Sequence, residues 1–285
     1  MDKAVERAIE CIRKRYGEPL TLTDIAESAS LSRFYFTRLF KEETGLTPGR
    51  FLSAIRIHQA KRLIESTSMS ITEISFAVGY NSMGSFTNTF TANVGVSPSR
   101  FRRLSRDGGD GLPGPEPEPD AGSGRGTVAG TISLPEGHGN ARVYLGAFRT
   151  PVVQHPSAAS AVVDVPGGRP SCYSLENVPE GSWHLLAVAV ADGVGPDPRA
   201  QRTSLVGSRT VTVTADGITS AAVRLRPSGP ADPPVLLALP ALEPPADVRA
   251  HPGCASVTPL PAPAGRRQAA GHLRVASAAP APSRS

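Results

Sequence analysis

Phe36-Thr37-Arg38-Leu39-Phe40, followed by Gly45, Pro48, Arg50 and Phe51, returns fifty residues later as Phe86-Thr87-Asn88-Thr89-Phe90, followed by Gly95, Pro98, Arg100 and Phe101. Seven of the sixteen positions are identical at a constant offset. Self-similarity at a fixed spacing marks two copies of one supersecondary unit. Thr23 to Ala29 reads as a short helix, with Thr21 or Thr23 as its cap and Ile25 and Ala29 on its apolar side. Ser30-Leu31 fits a tight turn, and Ser32 can cap a helix from Arg33 to Thr44. In the second copy, Thr72 to Val78 is the first helix and Gly79 supplies a left-handed turn position. Asn81 or Ser82 caps the next helix, which runs to about Val94. Gly45 and Gly95 end the second helices, and the prolines beyond them suit the first turn of a following helix. Two helices joined by a three- or four-residue turn form the motif whose second member enters the major groove of DNA.

Pro48 to Glu65 separates the copies and is rich in helix formers. Its length, roughly 27 Å if helical, approaches the ~34 Å between recognition helices on one face of B-DNA. A connector of that size lets one chain carry two readers. In the first copy Phe36, Leu39 and Phe40 form the apolar stripe of the second helix, while Phe34, Thr37, Arg38 and Lys41 fall opposite, with Arg33 at the start. Arg38 can bond guanine O6 and N7 with both arms of its fork, and Thr37 can meet a thymine methyl or a base edge. Arg33 and Lys41 suit phosphate; the alternative is that all of these are solvated helix residues. The second copy presents Ser82, Met83, Gly84, Thr87, Asn88 and Thr91 outward, with no Lys or Arg among them. Met83, Gly84, Thr87 and Asn88 are its candidate base readers: Asn88 can read adenine and Gly84 permits close backbone approach. Phosphate contacts there fall to Ser82 and to Arg100, Arg102, Arg103 and Arg106. The first copy is therefore expected to dominate specificity and the second to anchor.

Charge follows the same division. Residues 1–106 carry 16 Lys+Arg against 10 Asp+Glu, a net of +6, although the whole chain is +5. Basic charge concentrated on the segment with the helix-turn-helix pattern is the electrostatic footprint of a nucleic-acid binder. Residues 107–124 hold five acids and no base, and Gly and Pro dominate them, so they read as a flexible acidic linker.

Residues 5 to 103 resemble the DNA-binding domain of the AraC/XylS family of bacterial transcription regulators. The carrying residues are Ile25-Ala26, Phe36 to Lys41 with Gly45, Ile74-Ser75, Val78-Gly79-Tyr80, Ser85-Phe86-Thr87, Phe90, and the run Gly95 to Arg102. The resemblance implies an all-α domain over 1–106, two helix-turn-helix units joined by a long helix, that binds double-stranded DNA. It also implies base contacts at Phe34, Thr37 and Arg38; relatives often carry a basic residue where Asn88 and Thr91 stand. Members commonly join such a reader to a sensing or dimerising domain, often placed before it, whereas this chain puts the reader first. RNA polymerase and a small-molecule effector are the further partners such a regulator would have.

From Gly126 the period changes from helical to alternating. Thr127–Leu134, Ala141–Phe148, Ala161–Val165, Ser171–Val178, Ser182–Ala191, Ser208–Thr214 and Thr219–Arg226 read as seven strands punctuated by Gly and Pro, which suggests a two-sheet sandwich over 125–226. The pattern Gly126-x-Val128-x-Gly130, Ala141-x-Val143 and Tyr173-x-Leu175-x-x-Val178-Pro179-x-Gly181-x-Trp183 is similar to carboxypeptidase regulatory-like, transthyretin-type domains, with Trp183 as a core anchor. His138, His155 and His184 lack ligand spacing, and no nucleophile elbow, phosphate loop or dinucleotide fingerprint occurs. A metal, a cofactor and an enzymatic activity are therefore not expected. Residues 227–285 hold thirteen prolines and read as a mostly disordered tail, although Val235 to Leu239 could dock on the sandwich. Cys11, Cys172 and Cys254 form no paired motif, and Met1 leads straight into a charged helix, which together point to the cytoplasm. Two readings of the whole remain: a site-specific transcription regulator, or a largely non-specific DNA-binding protein that recruits a partner through its sandwich.

Overall fold

A computed structural model describes residues 1–107, 124–239 and 241–248. Seven helices come first: α1 (Lys3–Arg15), α2 (Leu22–Ser28), α3 (Arg33–Thr44), α4 (Pro48–Ser66), α5 (Ile71–Ala77), α6 (Met83–Val94) and α7 (Pro98–Asp107). In α1, Asp2 accepts from the Ala4 amide, Glu6 lies in the first turn and Arg13, Lys14 and Arg15 in the last. Those charges complement the helix dipole at both ends. Its buried side includes Val5, Ala8, Ile9 and Ile12, and it packs against α2 and α3 as α4 packs against α5 and α6.

Both repeats start the same way. Thr21 and Asp24 form a capping box on α2, and Ser70 and Glu73 form one on α5. The backbone and hydroxyl donors at each cap hold the Asp24 and Glu73 carboxyls below their ordinary range. A carboxylate with a depressed folded pKa stabilises the fold above its unfolded pKa, near 4, and loses that contribution as pH falls through the folded value. Acid melting of the wild type below about pH 4 should therefore exceed that of an Asp24→Ala/Glu73→Ala double variant. Equal pH dependence of the two thermal midpoints would contradict this.

The turns between the paired helices hold four and five residues, one of them longer than expected because Asn81 is an insertion relative to the first repeat. Ser30 adopts φ 58° in the first turn and Gly79 φ 85° in the second. A Cβ at Gly79 would sit 2.8 Å from the Tyr16 carbonyl oxygen and 2.9 Å from Arg56 Nη2. Arg56 itself donates to the Tyr16 and Glu18 carbonyls at 2.8 and 2.7 Å, which staples α4 to the end of α1. Gly79→Ala therefore combines a positive φ with two close contacts, and we expect a loss of about 1–3 kcal/mol. Urea denaturation measures it, and an unchanged midpoint would contradict the packing described.

After the helices come β1 (Arg125–Ser133), β2 (Ala141–Phe148), β3 (Ala159–Val165), β4 (Ser171–Pro179), β5 (Gly181–Ala191), β6 (Thr203–Val213), β7 (Ile218–Ser220), β8 (Val223–Arg224) and β9 (Arg226–Pro227). One sheet runs β4-β1-β7, with β8 also paired to β1; the other runs β3-β2-β5-β6-β9. The inner faces bury Val143, Leu145, Leu175, Trp183, Leu185, Val213 and Val223, and the Trp183 indole donates to the Pro179 carbonyl at 2.6 Å. Tyr173 donates to the Ala221 carbonyl at 2.7 Å, and burial pushes its hydroxyl up to about 12.

Seven strands were expected, and nine are present among the described residues. The expected final strand, Thr219–Arg226, changes hydrogen-bond partner along its length. β7 and β8 run parallel to β1, whereas β9 crosses to pair with β6. Ala221, Val223 and Leu225 stay buried throughout, so the side-chain alternation hides the switch. In the tail, the segment expected to dock on the sandwich, Val235 to Leu239, does so. Leu236, Leu237 and Ala238 are buried, with the alternation of an extended strand: Leu236 and Ala238 enter the helical core, and Leu237 joins Tyr144, Phe148, Val153, Leu186 and Val188 on the outer face of the larger sheet. That sheet is thus apolar on both faces, which favours a docked tail over a disordered one here. Residues 249–285 and nearly all of the expected linker, 108–123, lie outside the described residues. Cys11 is free, but Cys172 on β4 is disulfide-bonded, contrary to the expectation of unpaired thiols. Among the described residues no helix is long and apolar enough to cross a membrane.

Candidate DNA interface

The buried stripe of α3 is Phe36, Phe40 and Thr44; that of α6 is Phe86, Phe90 and Val94. Each stripe is completed by the aromatic ring of the next helix. Phe40 meets Phe51 edge-on at 5.4 Å, and Phe90 meets Phe101 edge-on at 5.8 Å. The equivalence of the two cores fixes the opposite face of each helix toward solvent. Gly45 and Gly95 then stop the helices at φ 75° and 88°.

On the open face of α3, Phe34 is 85% exposed and Tyr35 also faces solvent. Arg33, Arg38 and Lys41 are exposed beside them, and Thr37 is half-buried with its hydroxyl donating to the Arg33 carbonyl. Arg38 pairs with Glu42 at 3.1 Å in an i,i+4 contact open to water, so its fork is held loosely. The Ser32 side chain makes no capping hydrogen bond, which leaves the first amides of α3 to another acceptor.

On α6, Ser82 caps the helix by accepting from the Ser85 amide at 3.2 Å and is exposed. Met83, Gly84 and Asn88 are exposed, and Thr87 is half-buried. A Cβ at Gly84 would meet nothing within 4 Å, so the backbone there is open to a close approach. Met83 is steadied by Thr72, whose hydroxyl donates to its sulfur at 3.1 Å.

The expected phosphate arginines divide. Arg100, Arg103 and Arg106 are exposed. Arg102 is committed inward: its Nη2 donates to the Met69 carbonyl at 2.6 Å and its Nε is buried. It ties α7 to the connection before α5, so its placement departs from the phosphate role expected of it. Arg50, exposed in the first turn of α4, is the counterpart of Arg100 and was not among the expected contacts. The fifty-residue repeat itself carries that signal. We expect Arg103→Ala to lower the slope of log affinity against log salt by roughly one without changing stability. Arg102→Ala should instead lower the melting temperature; the reverse pattern would contradict this division.

A family model for the helix-turn-helix domain matches residues 25–104. The helical unit is a helix-turn-helix domain. Among curated relatives, the melibiose operon regulatory protein of Escherichia coli (strain K12) is 32% identical over 110 residues, which is 39% of this chain and 36% of that protein. The Msm operon regulatory protein of Streptococcus mutans is 33% identical over 99 residues, 35% of this chain and 36% of that protein. A solved AraC-type transcriptional regulator from Chromobacterium violaceum is similar over 37% of this chain and 95% of its own, at 29% identity with a TM-score of 0.36. The chain spans about a third of the length of these curated relatives.

Proposed function

We propose that this chain is a sequence-specific transcription regulator that reads two successive major-groove segments of double-stranded DNA. The observation that carries the reading is the pair of equivalent cores under unequal outer faces. Phe36, Phe40 and Phe51 on one side, and Phe86, Phe90 and Phe101 on the other, present α3 and α6 alike. α4, at 19 residues, separates them by roughly the length of a helical turn of DNA. Phe34, Thr37 and Arg38 read bases in the first segment, with Arg33 and Lys41 on phosphate. Met83, Gly84, Thr87 and Asn88 face bases in the second, with Ser82, Arg100, Arg103 and Arg106 anchoring. A protein of this kind acts on the chromosome in the cytoplasm, with RNA polymerase as a partner. The sandwich, whose repeats of Gly, Val and Pro resemble carboxypeptidase regulatory-like domains, serves as a sensor or partner-binding module, and no catalytic step is assigned.

The test is a specificity ratio at fixed salt. Duplexes selected from random DNA by the full chain are compared with scrambled duplexes of equal length. Specific readers favour their site by at least about a thousandfold. A ratio near one, with the same steep salt dependence on every sequence, would replace this reading with non-specific binding.

A further inference from the structure

The ends of both recognition helices touch one loop of the sandwich. Between β2 and β3, Pro151 packs on Gly45 at the end of α3, at 3.2 Å from where a Cβ would lie. Val152 enters the helical core, and the His155 amide donates to the Asn93 carbonyl in the last turn of α6 at 2.8 Å. A cavity of about 180 Å³ lies beside these contacts, walled by Arg50, Ser53, Asn93 and Gln154. The contacts lie at the C-terminal ends of α3 and α6, whereas Phe34 and Met83 lie at their N-terminal ends. Loop and DNA can therefore be engaged together.

A second piece of chain locks this arrangement. After β9 the backbone runs as a strap through Pro230, Pro233 and Pro234, residues that hold it extended and remove donors that would need partners. Three of the donors that remain bond outside the strap. The Leu236 and Leu237 amides both donate to the Val153 carbonyl at 2.9 and 3.1 Å, and the Ala238 amide donates to the Val94 carbonyl at 3.1 Å. From α4, Lys61 Nζ donates to the Leu237 carbonyl at 2.8 Å, a cation otherwise closed in over the Phe101 ring. Burial lowers this amine to about 8 against the opposing pull of Glu65, so it is mostly charged at neutral pH. The ends of the strap are pinned as well. Arg226 pairs with Asp232 at 2.8 Å, Arg202 with Glu243 at 2.7 Å, and Asn140 donates to the Pro245 and Ala246 carbonyls at 3.0 Å. One segment thus bonds to Val94 and Lys61 of the helical unit and to Val153 and Asn140 of the sandwich.

We propose that loop 150–155 and the strap residues 230–239 and 241–246 form a brace that fixes α3 and α6 relative to one another, so that seating or release of the strap sets how well the chain reads a two-segment site. The brace rests on the reading of α3 and α6 as DNA readers only in its consequence, not in its mechanics. Whatever displaces the strap, by binding the outer face of the larger sheet where Leu237 sits, would loosen both readers at once. That makes the face holding Tyr144, Phe148, Leu186 and Val188 the regulatory surface of the chain, and an extended apolar segment its competing ligand.

The full chain and a Leu236→Asp/Leu237→Asp variant test this. Hydrogen exchange without DNA should show amides 41–45 and 91–95 exchanging about ten-fold faster in the variant, while β5 and the centre of α4 stay protected. Affinity for a selected two-segment duplex should fall about ten-fold, and affinity for a duplex with its second segment scrambled should hold. An Asp232→Ala/Glu243→Ala variant, which removes the acceptors for Arg226, the Gly229 amide and Arg202 at the ends of the strap, should move both readouts the same way by less. Unchanged exchange at 41–45 and 91–95 in both variants overturns the brace. So does an equal loss on the two duplexes. The exchange experiment stands whether or not the chain selects a DNA sequence, so a failure of the proposed function is seen separately.

Discussion

Arg38→Ala should lower affinity for the selected site by about 1–3 kcal/mol, roughly 5- to 150-fold, and relax preference at one base pair. The fork of Arg38 projects from the open face of α3, and its side chain is 71% exposed. Its contact within the protein is an i,i+4 pair with Glu42, also open to water, which contributes about 0.5 kcal/mol or less. The melting temperature should therefore hold while binding fails. Asn88→Ala, in the equivalent helix of the second repeat, should cost less, because α6 carries no Lys or Arg among its twelve residues to reinforce a base contact. A larger loss of sequence preference at Asn88 than at Arg38 would reverse the division of labour between the repeats.

Phe90→Ala should do the opposite. The ring is fully buried between Phe86 at 5.6 Å and Phe101 at 5.8 Å, so truncation removes two aromatic contacts and opens a cavity that packed helices cannot close. Such substitutions cost about 3–5 kcal/mol, a large part of the 5–15 kcal/mol typical of a domain. Phe40→Ala should cost about as much, since its rings sit at matching distances in the first repeat. Phe34→Ala is the control: the same residue type, mostly exposed, whose loss should weaken DNA binding and leave urea denaturation unchanged. Equal effects of Phe34 and Phe90 on stability would contradict the assignment of the two faces of these helices.

The helical unit was legible because its period, its caps and its glycines agree. Thr21 as a cap, Gly45 and Gly95, and the Phe-x-x-x-Phe stripes each demand one local geometry, and the structure adopts it. Arg102 was not legible. A basic residue in a run of basic residues looks solvated, and only the approach of the Met69 carbonyl shows it turned inward. The strap was legible only in part, since Val235 to Leu239 was expected to dock on the sandwich while the rest of the tail read as disorder. Its composition is that of a chain that cannot build a core alone, and disorder is the natural reading of so many prolines. A second signal pointed the other way. Val143 to Phe148 and Leu185 to Val188 are apolar without alternation, which a sheet buried on both faces requires. Something had to cover the outer face, and Leu237 does.

The proposed function requires that one chain read two segments of DNA. Hydroxyl-radical footprinting on a selected duplex, with the number of chains per duplex counted by sedimentation, tests it most directly. One chain and two protected tracts about 34 Å apart along one face of the helix are the expected result. One tract per chain, or two chains on every duplex, would contradict it.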